Sequence, residues 1–252
     1  MTTINTKNMI LHVGFHKSGS TFIQNYFENH TDVFFSRKIL ADFIHDFRKE
    51  IPPFELQTEQ EHIFLSDMRL TVNSWGKTEL ERIKNQSTAT NVCEIQKEIA
   101  VKLKERFPSA RILITHRDKN QLIPSLYSQY LLNGGTKSYH SFAKQSSEIL
   151  MLFDYEYIIA LYSDLFGQEN MVVISYDELK ADSELFVSKI CTAFQIPIQP
   201  QKLKVINPSL RKKSKINIRY INLLVHFSLK IVPKSRRNVY FRNYINRLIL
   251  KH

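Results

Sequence analysis

Two things are scarce along the 252 residues of this sequence, and a third disappears part-way. Only two cysteines occur, Cys93 and Cys191. Two are too few for a disulfide framework, and no His or Cys stands near either at metal-ligand spacing. Each reads as a small core residue. Long apolar runs are also missing. The best candidate, "YINLLVHFSLKIV" (220–232), is thirteen residues long and carries Asn222, His226, Ser228 and Lys230. A membrane span needs about 20 predominantly apolar residues. The short apolar run at the N-terminus, "MILHV", is below the length of a secretory signal. These features predict a cytoplasmic protein. Internal repeats and low-complexity stretches are absent too, so the length predicts a large α/β domain with a substantial core.

The third scarcity is of acid, which stops at Glu184. Residues 1–184 hold 20 Lys and Arg with all 24 Asp and Glu, whereas residues 185–252 hold 15 Lys and Arg and no acid. The net charge of +11 is therefore concentrated in the C-terminal part. Such a segment is either a solvated basic tail or a partner for an anionic membrane, an anionic polymer or cofactor phosphates. Nucleic acid is disfavoured, because zinc-finger spacing and the aromatic–basic motifs of RNA-binding modules are both missing.

What is present is an alternation of strands and helices. "MILHVG" (9–14) reads as a buried strand ending at a glycine turn. "STFIQNYFENH" follows, with apolar residues at 22, 23, 26 and 27 on one helical face, and the serines offer N-cap chemistry at its start. "HIFLS" (62–66) reads as the second strand, 94–107 as a helix and "ARILITHR" (110–117) as the clearest strand. A helix is expected from near Asn120, a long helical stretch from after Gly134-Gly135 to about Phe166, a strand at 171–176 and a helix to about Phe194. Uninterrupted apolar strands separated by helices predict a parallel sheet covered on both faces. The expected organisation is an α/β domain over 1–210, with 211–252 a basic amphipathic helical extension of the same domain.

The first strand runs into Gly14-Phe15-His16-Lys17-Ser18-Gly19-Ser20-Thr21. Backbone N–H groups at a helix N-terminus after a glycine loop suit an anion, and Lys17 with the hydroxyls of Ser20 and Thr21 reinforces this. An ATP-binding P-loop places its lysine directly after the second glycine; here Lys17 comes two residues before Gly19. A second anion site is suggested by Arg117, at the end of the clearest strand, and Ser125 eight residues later. A guanidinium forks onto phosphate oxygens and a hydroxyl can complete the contact.

Taken together, "GFHKSGST", the Arg117/Ser125 pair and "MVVISYDELKADSELFVSKICTAFQIPI" resemble the PAPS-dependent sulfotransferases, in particular bacterial carbohydrate-type members. PAPS is 3′-phosphoadenosine-5′-phosphosulfate. The resemblance implies a P-loop-like three-layer fold with a central parallel sheet flanked by helices. It implies that Gly14, Lys17, Ser18, Gly19, Ser20 and Thr21 hold the 5′-phosphosulfate, and that Arg117 and Ser125 hold the 3′-phosphate. In "NPSLRKKSK" (207–215), Arg211 and Lys212 stand in for the basic R-K-G loop of small-molecule members, without its glycine. PAPS is the donor, 3′,5′-adenosine bisphosphate (PAP) the product, and no metal is required. Lys119 occupies a position where the family commonly has Pro.

In-line sulfuryl transfer places Lys17 beside the leaving phosphate and requires a base for the acceptor proton. Bacterial relatives often read S-x-E after the second strand, which falls on Met68 here. Asp67, one residue earlier, is the first candidate and His16 the second. The resemblance favours a saccharide hydroxyl as acceptor, with Tyr127, Tyr130 and Tyr139 available to stack on sugar rings. The basic extension suits peripheral attachment to an anionic membrane, on its inner face. Two other readings stay open from the residues alone: a P-loop nucleotide kinase, and a degenerate nucleotide-binding protein without activity.

Overall fold

In the computed structural model, residues 8–46, 56, 58–71, 92–144, 153–201 and 212–228 are described. They belong to two compact units, one of Met1–Asp118 with Ile149–Ile206 and the other of Lys119–Glu148 with Asn207–His252.

The first unit is built on five parallel strands: β1 (Met9–His12), β2 (Val33–Ser36), β3 (His62–Ser66), β4 (Arg111–His116) and β5 (Met171–Ser175). Their order across the sheet is β2-β3-β1-β4-β5. Every residue of β1 and β3 is buried, as expected of central parallel strands covered on both faces. The helices are α1 (Ser20–Glu28), α2 (Lys38–Asp46) and α3 (Val92–Arg106), with α4 (Lys119–Leu132) assigned to the second unit. Then come α5 (Tyr155–Phe166), α6 (Tyr176–Ala181) and α7 (Ser183–Phe194) in the first unit, and α8 (Lys212–Ser228) in the second.

The apolar stripe expected on α1 is the one that is buried: Phe22, Ile23, Tyr26 and Phe27 join Ile10, Phe64 and Leu113 of the sheet and Phe186, Val187, Ile190 and Phe194 of α7. Phe27 stacks on Phe64 with ring centroids 4.0 Å apart. Burial of these large side chains, each worth about 1.5–3 kcal/mol, fixes α1 against the sheet.

Four local expectations need correction. Cys93 is exposed, and of the two cysteines only Cys191 lies in the core. The strand at 62–66 is third in the chain, because "VFFS" (33–36) forms an edge strand against it. Four residues, one buried and three partly exposed, carry no readable period, and pairing with β3 makes the strand. Helix α1 is not capped by a serine: Gly19 is its N-cap at φ 93°, without a side-chain cap. The Ser18 hydroxyl instead donates inward to the carbonyl of Phe15 at 2.5 Å. The long helical stretch ending at Phe166 is broken at Asp154, whose carboxylate accepts from the N–H of Tyr157 and starts α5 afresh.

In the second unit, α4 and α8 are joined by side chains that satisfy backbone carbonyls. Asn222 donates to the carbonyls of Leu131 and Gly135 at 2.8 and 2.7 Å, and Arg219 to that of Thr136 at 2.9 Å. Gly135 is required where it stands, since a Cβ there would lie 2.2 Å from the ring of Tyr130. Asn207, Ser209, Arg211 and Pro233 lie outside the described residues, and Lys212 opens α8.

Candidate active site

Ligands of open parallel sheets bind beyond the carboxyl ends of the strands. In the first unit those ends carry the loop 13–19 after β1, Asp67 after β3, Arg117 after β4 and Tyr176 after β5. The loop is shaped by two left-handed residues, Lys17 at φ 68° and Gly19 at φ 93°. Such alternation turns successive backbone N–H groups toward one side and makes an anion-binding concavity. Gly14 has a different reason for being glycine. A Cβ there would stand 2.6 Å from His12 Nε2, 2.7 Å from Ser20 Oγ and 2.9 Å from Thr115 Oγ1.

Those atoms belong to a buried polar network under the loop. His12 Nδ1 lies 2.9 Å from Ser66 Oγ, and its Nε2 lies 3.2 Å from Thr115 Oγ1. Gln24 of α1 donates to Ser66 Oγ at 2.9 Å, and Ser18 Oγ is 2.9 Å from Thr115 Oγ1. The ends of β1, β3 and β4 are thus tied to the loop and to α1 by hydroxyls around one imidazole. Complete burial holds the pKa of His12 down to about 3, so it serves as a neutral hydrogen-bonding hub. Sequence reasoning missed His12, Gln24, Ser66 and Thr115. The signal was there: single polar residues at the ends of otherwise apolar strands, where a buried polar group must find partners.

Above the network sit the charges. Arg117 is buried, donates from Nη1 to the carbonyl of Lys17 at 3.1 Å, and has its guanidinium 4.4 Å from the ring centroid of Tyr176. The Lys17 ammonium pKa is lowered, by burial first and by the charge of Arg117 second. His16 is adjacent. Its Nε2 is shut off from solvent and has no hydrogen-bond partner among the described residues. Burial lowers its pKa to about 4, opposed by the charge of Asp67 and assisted by Lys17 and Arg69.

Asp67 is engaged with Arg69. Oδ1 accepts from the backbone N–H of Arg69 at 2.8 Å and from its Nε at 3.0 Å; Oδ2 accepts from Nη2 at 2.5 Å. The carboxylate therefore caps the 3-10 turn Met68–Thr71 while pairing with a guanidinium.

The structure brings Gly14, His16, Lys17, Ser18, Gly19, Ser20, Thr21, Asp67 and Arg117 to one end of one sheet. Ser18 turns its hydroxyl into the network, and buried Ser20 donates its own to the carbonyl of Phe15 at 3.4 Å. Ser20 and Thr21 open α1, where the leading backbone N–H groups have no intrahelical acceptor. Ser125 belongs to the second unit, buried on α4. Arg211 lies outside the described residues, and Lys212 is the first residue of α8.

Residues 10–200 match the model of the Sulfotransferase family. The chain belongs to the sulfotransferase family. Among solved structures, a sulfotransferase from Alicyclobacillus acidocaldarius is similar with a TM-score of 0.53 and 17% identity, over 87% of this chain and 95% of that one. The mouse sulfotransferase SULT7A1 complexed with PAP has a TM-score of 0.44 and 14% identity, over 86% and 65%. Sulfotransferase STF9 from Mycobacterium avium has a TM-score of 0.40 and 11% identity, over 86% and 76%. No curated protein matches the chain.

The family assignment replaces the kinase reading and makes PAPS the donor and PAP the product. The residues of this sulfotransferase fit such a donor. Half-buried Lys17 lies close enough to buried Arg117 for the guanidinium charge to disfavour that of the ammonium, which an anion beside them relieves. The two left-handed residues give the loop the backbone form that cradles phosphate-like oxygens.

Proposed function

We propose that this sulfotransferase transfers the sulfuryl group of PAPS to a saccharide hydroxyl, with Lys17 at the leaving phosphate, Arg117 at the 3′-phosphate and His16 as the base. In the transfer the acceptor oxygen forms a bond to sulfur as the bridging S–O bond to the 5′-phosphate breaks. The electron pair and its negative charge go to the phosphate oxygen, which Lys17 and the first-turn N–H groups of α1 neutralise. The acceptor proton passes to His16 Nε2.

The observation that carries this reading is the contrast between the two base candidates. His16 Nε2 is buried and without a hydrogen-bond partner among the described residues, next to Lys17 on the same loop. Both oxygens of Asp67 already accept from Arg69. A pKa of about 4 keeps the imidazole unprotonated at neutral pH, and the charge of Asp67 favours the imidazolium once the proton has arrived. Asp67 is then a positioning residue rather than the base.

The saccharide acceptor rests on the resemblance to bacterial carbohydrate-type members. Attachment to an anionic membrane is supported by α8, where exposed Tyr220 and Leu224 stand one turn apart on a lysine- and arginine-bearing helix. Among the described residues no helix is long and apolar enough to cross a membrane. Sedimentation with anionic vesicles at low and high salt tests that attachment: salt-sensitive binding supports it, and none at low salt rejects it.

Single-turnover transfer from labelled PAPS, with neutral sugars, acidic sugars and phenols as acceptors, tests the activity. A base contributes roughly 100- to 10,000-fold, so His16→Asn is expected to lose about that much with PAP affinity intact. Asp67→Asn is expected to lose less. The reverse ranking rejects His16, and transfer confined to phenols rejects the saccharide.

A further inference from the structure

Outside the loop and its network, the second unit contains a cavity of about 610 Å³ that the chemistry above does not use. Among the described residues it is lined by Pro124, Tyr127, Ser138, Tyr139, Lys215, Arg219 and Tyr220. That volume is within the roughly 300–1,000 Å³ of small-molecule sites. From this cavity we infer a binding site for an acidic saccharide, one whose ring carries a carboxylate or sulfate. The inference rests on the saccharide reading and narrows its substrate class.

The walls explain why a sugar ring suits it. Three phenol rings supply apolar faces, and two of them are not packed away: Tyr139 is 46% and Tyr220 58% exposed, high values for aromatic residues. Tyr139 is held edge-on to buried Tyr127 with ring centroids 5.3 Å apart. The Tyr127 hydroxyl donates to the carbonyl of Lys137 at 3.0 Å, which fixes the ring at the floor. A pyranose presents one C–H face and a rim of hydroxyls. The first matches tyrosine rings, and the second matches Ser138 and the tyrosine hydroxyls. Tyr130, the other tyrosine expected to stack on sugar, has a different task. Its hydroxyl accepts from the N–H groups of Thr136 and Lys137, both at 3.0 Å, and shapes the turn.

The acidic group is called for by the charges. Both ionisable side chains other than tyrosine on the wall, Lys215 and Arg219, are cations, and no carboxylate lines the cavity among the described residues. Across Lys119–Glu148 and Asn207–His252 the sequence has fifteen Lys and Arg against a single acid, Glu148. Among the described residues, both cations are held by the backbone rather than by counter-ions. Lys215 donates to the carbonyl of Pro124 at 3.2 Å, and Arg219 Nε to that of Thr136 at 2.9 Å. The bond from Nε uses one of the five guanidinium donors and orients the terminal fork, the geometry that takes a carboxylate or sulfate in two parallel hydrogen bonds. Carbonyl anchoring leaves the positive charge of both residues uncancelled by any described residue at the wall.

Calorimetric titration of the full chain with a uronic-acid-containing disaccharide and with a neutral disaccharide of the same linkage tests this, with and without saturating PAP. The acidic sugar is expected to bind at least about tenfold more tightly, the equivalent of one charge-assisted hydrogen bond. Arg219→Gln, which keeps a donor for Thr136, is expected to remove that preference while leaving PAP affinity and the unfolding midpoint unchanged. Lys215→Gln is expected to weaken it in part, and Tyr139→Ala to weaken both sugars alike. Equal binding of the two sugars, or an Arg219→Gln protein that keeps the preference, overturns the acidic site but leaves the saccharide reading standing. Loss of sugar binding on adding PAP, with PAP weakened by Arg219→Gln, assigns the cations to the donor and overturns the site. Binding of neither sugar by a protein that sulfates phenols rejects the saccharide reading together with it.

Discussion

The guanidinium of Arg117, at the end of β4, donates to the carbonyl of Lys17 across one hundred residues of chain, at 3.1 Å. The residue assigned to one phosphate of the donor thereby fixes the backbone of the residue assigned to the other. Lys17 itself adopts the left-handed conformation, rare outside glycine and costing about 1–3 kcal/mol, and the hydrogen bond helps hold it there.

This division of labour makes Lys17→Ala a test of charge alone, because the backbone contact survives the substitution. Removing one stabiliser of transition-state charge costs about 100- to 1,000-fold in kcat. PAP affinity is expected to change far less, by about tenfold. Steady-state kinetics beside PAP titration measure both. A loss confined to PAP affinity contradicts the placement of Lys17 at the leaving oxygen.

Thr115 is the joint of the buried network, touching both His12 Nε2 and Ser18 Oγ. Thr115→Val keeps the shape but strands the buried His12 Nε2, at a cost of about 1–3 kcal/mol, and leaves Ser18 Oγ with Phe15 as its remaining partner. Thr115→Ser is expected to restore most of the loss. Urea unfolding checks the stability, and PAP titration checks that the loop loosens with it. A valine variant as stable as the parent denies the network its structural role.

Gly14→Ala is expected to cost about 1–3 kcal/mol through overpacking, a drop of several degrees in Tm. Its Cβ has no room between His12, Ser20 and Thr115. Thermal unfolding and PAP binding are expected to fall together. An unperturbed variant contradicts the close approach of loop and strand.

Stability is expected to decline as the pH falls below about 6.5, the ordinary histidine value. His12 and His16 have folded-state pKa values of about 3 and about 4, so in that window the unfolded chain takes up protons that the folded one refuses. The contribution is full above about pH 6.5 and is lost as the pH falls toward those values. Each histidine contributes about 1.4 kcal/mol per pH unit. Urea unfolding between about pH 6.5 and 4.5 measures the slope, which His16→Asn is expected to reduce. An unchanged slope denies the burial of His16.

Much of this was legible in the residues. The apolar period of α1, the continuous strands and the odd lysine of "GFHKSGST" carried the parallel sheet and the sulfotransferase resemblance. Edge strand β2 was not legible, since four residues gain their conformation from pairing with β3 and not from a local pattern. The start of α1 was misjudged because the serines offered better caps than Gly19, and only the fold shows that the Ser18 hydroxyl is spent on Phe15 and Thr115. The surroundings of the proposed bases were also beyond the sequence. Spacing pointed to Asp67, and its engagement with Arg69, two residues away, emerges only from side-chain geometry.

The most direct test of the donor site is calorimetric titration with 3′,5′-adenosine bisphosphate, AMP and ATP–Mg²⁺, for the wild type and Arg117→Ala. The account predicts that the bisphosphate binds at least about tenfold more tightly than AMP, and that Arg117→Ala erases this advantage. Equal binding of AMP and the bisphosphate, or an advantage that survives the loss of Arg117, would contradict it.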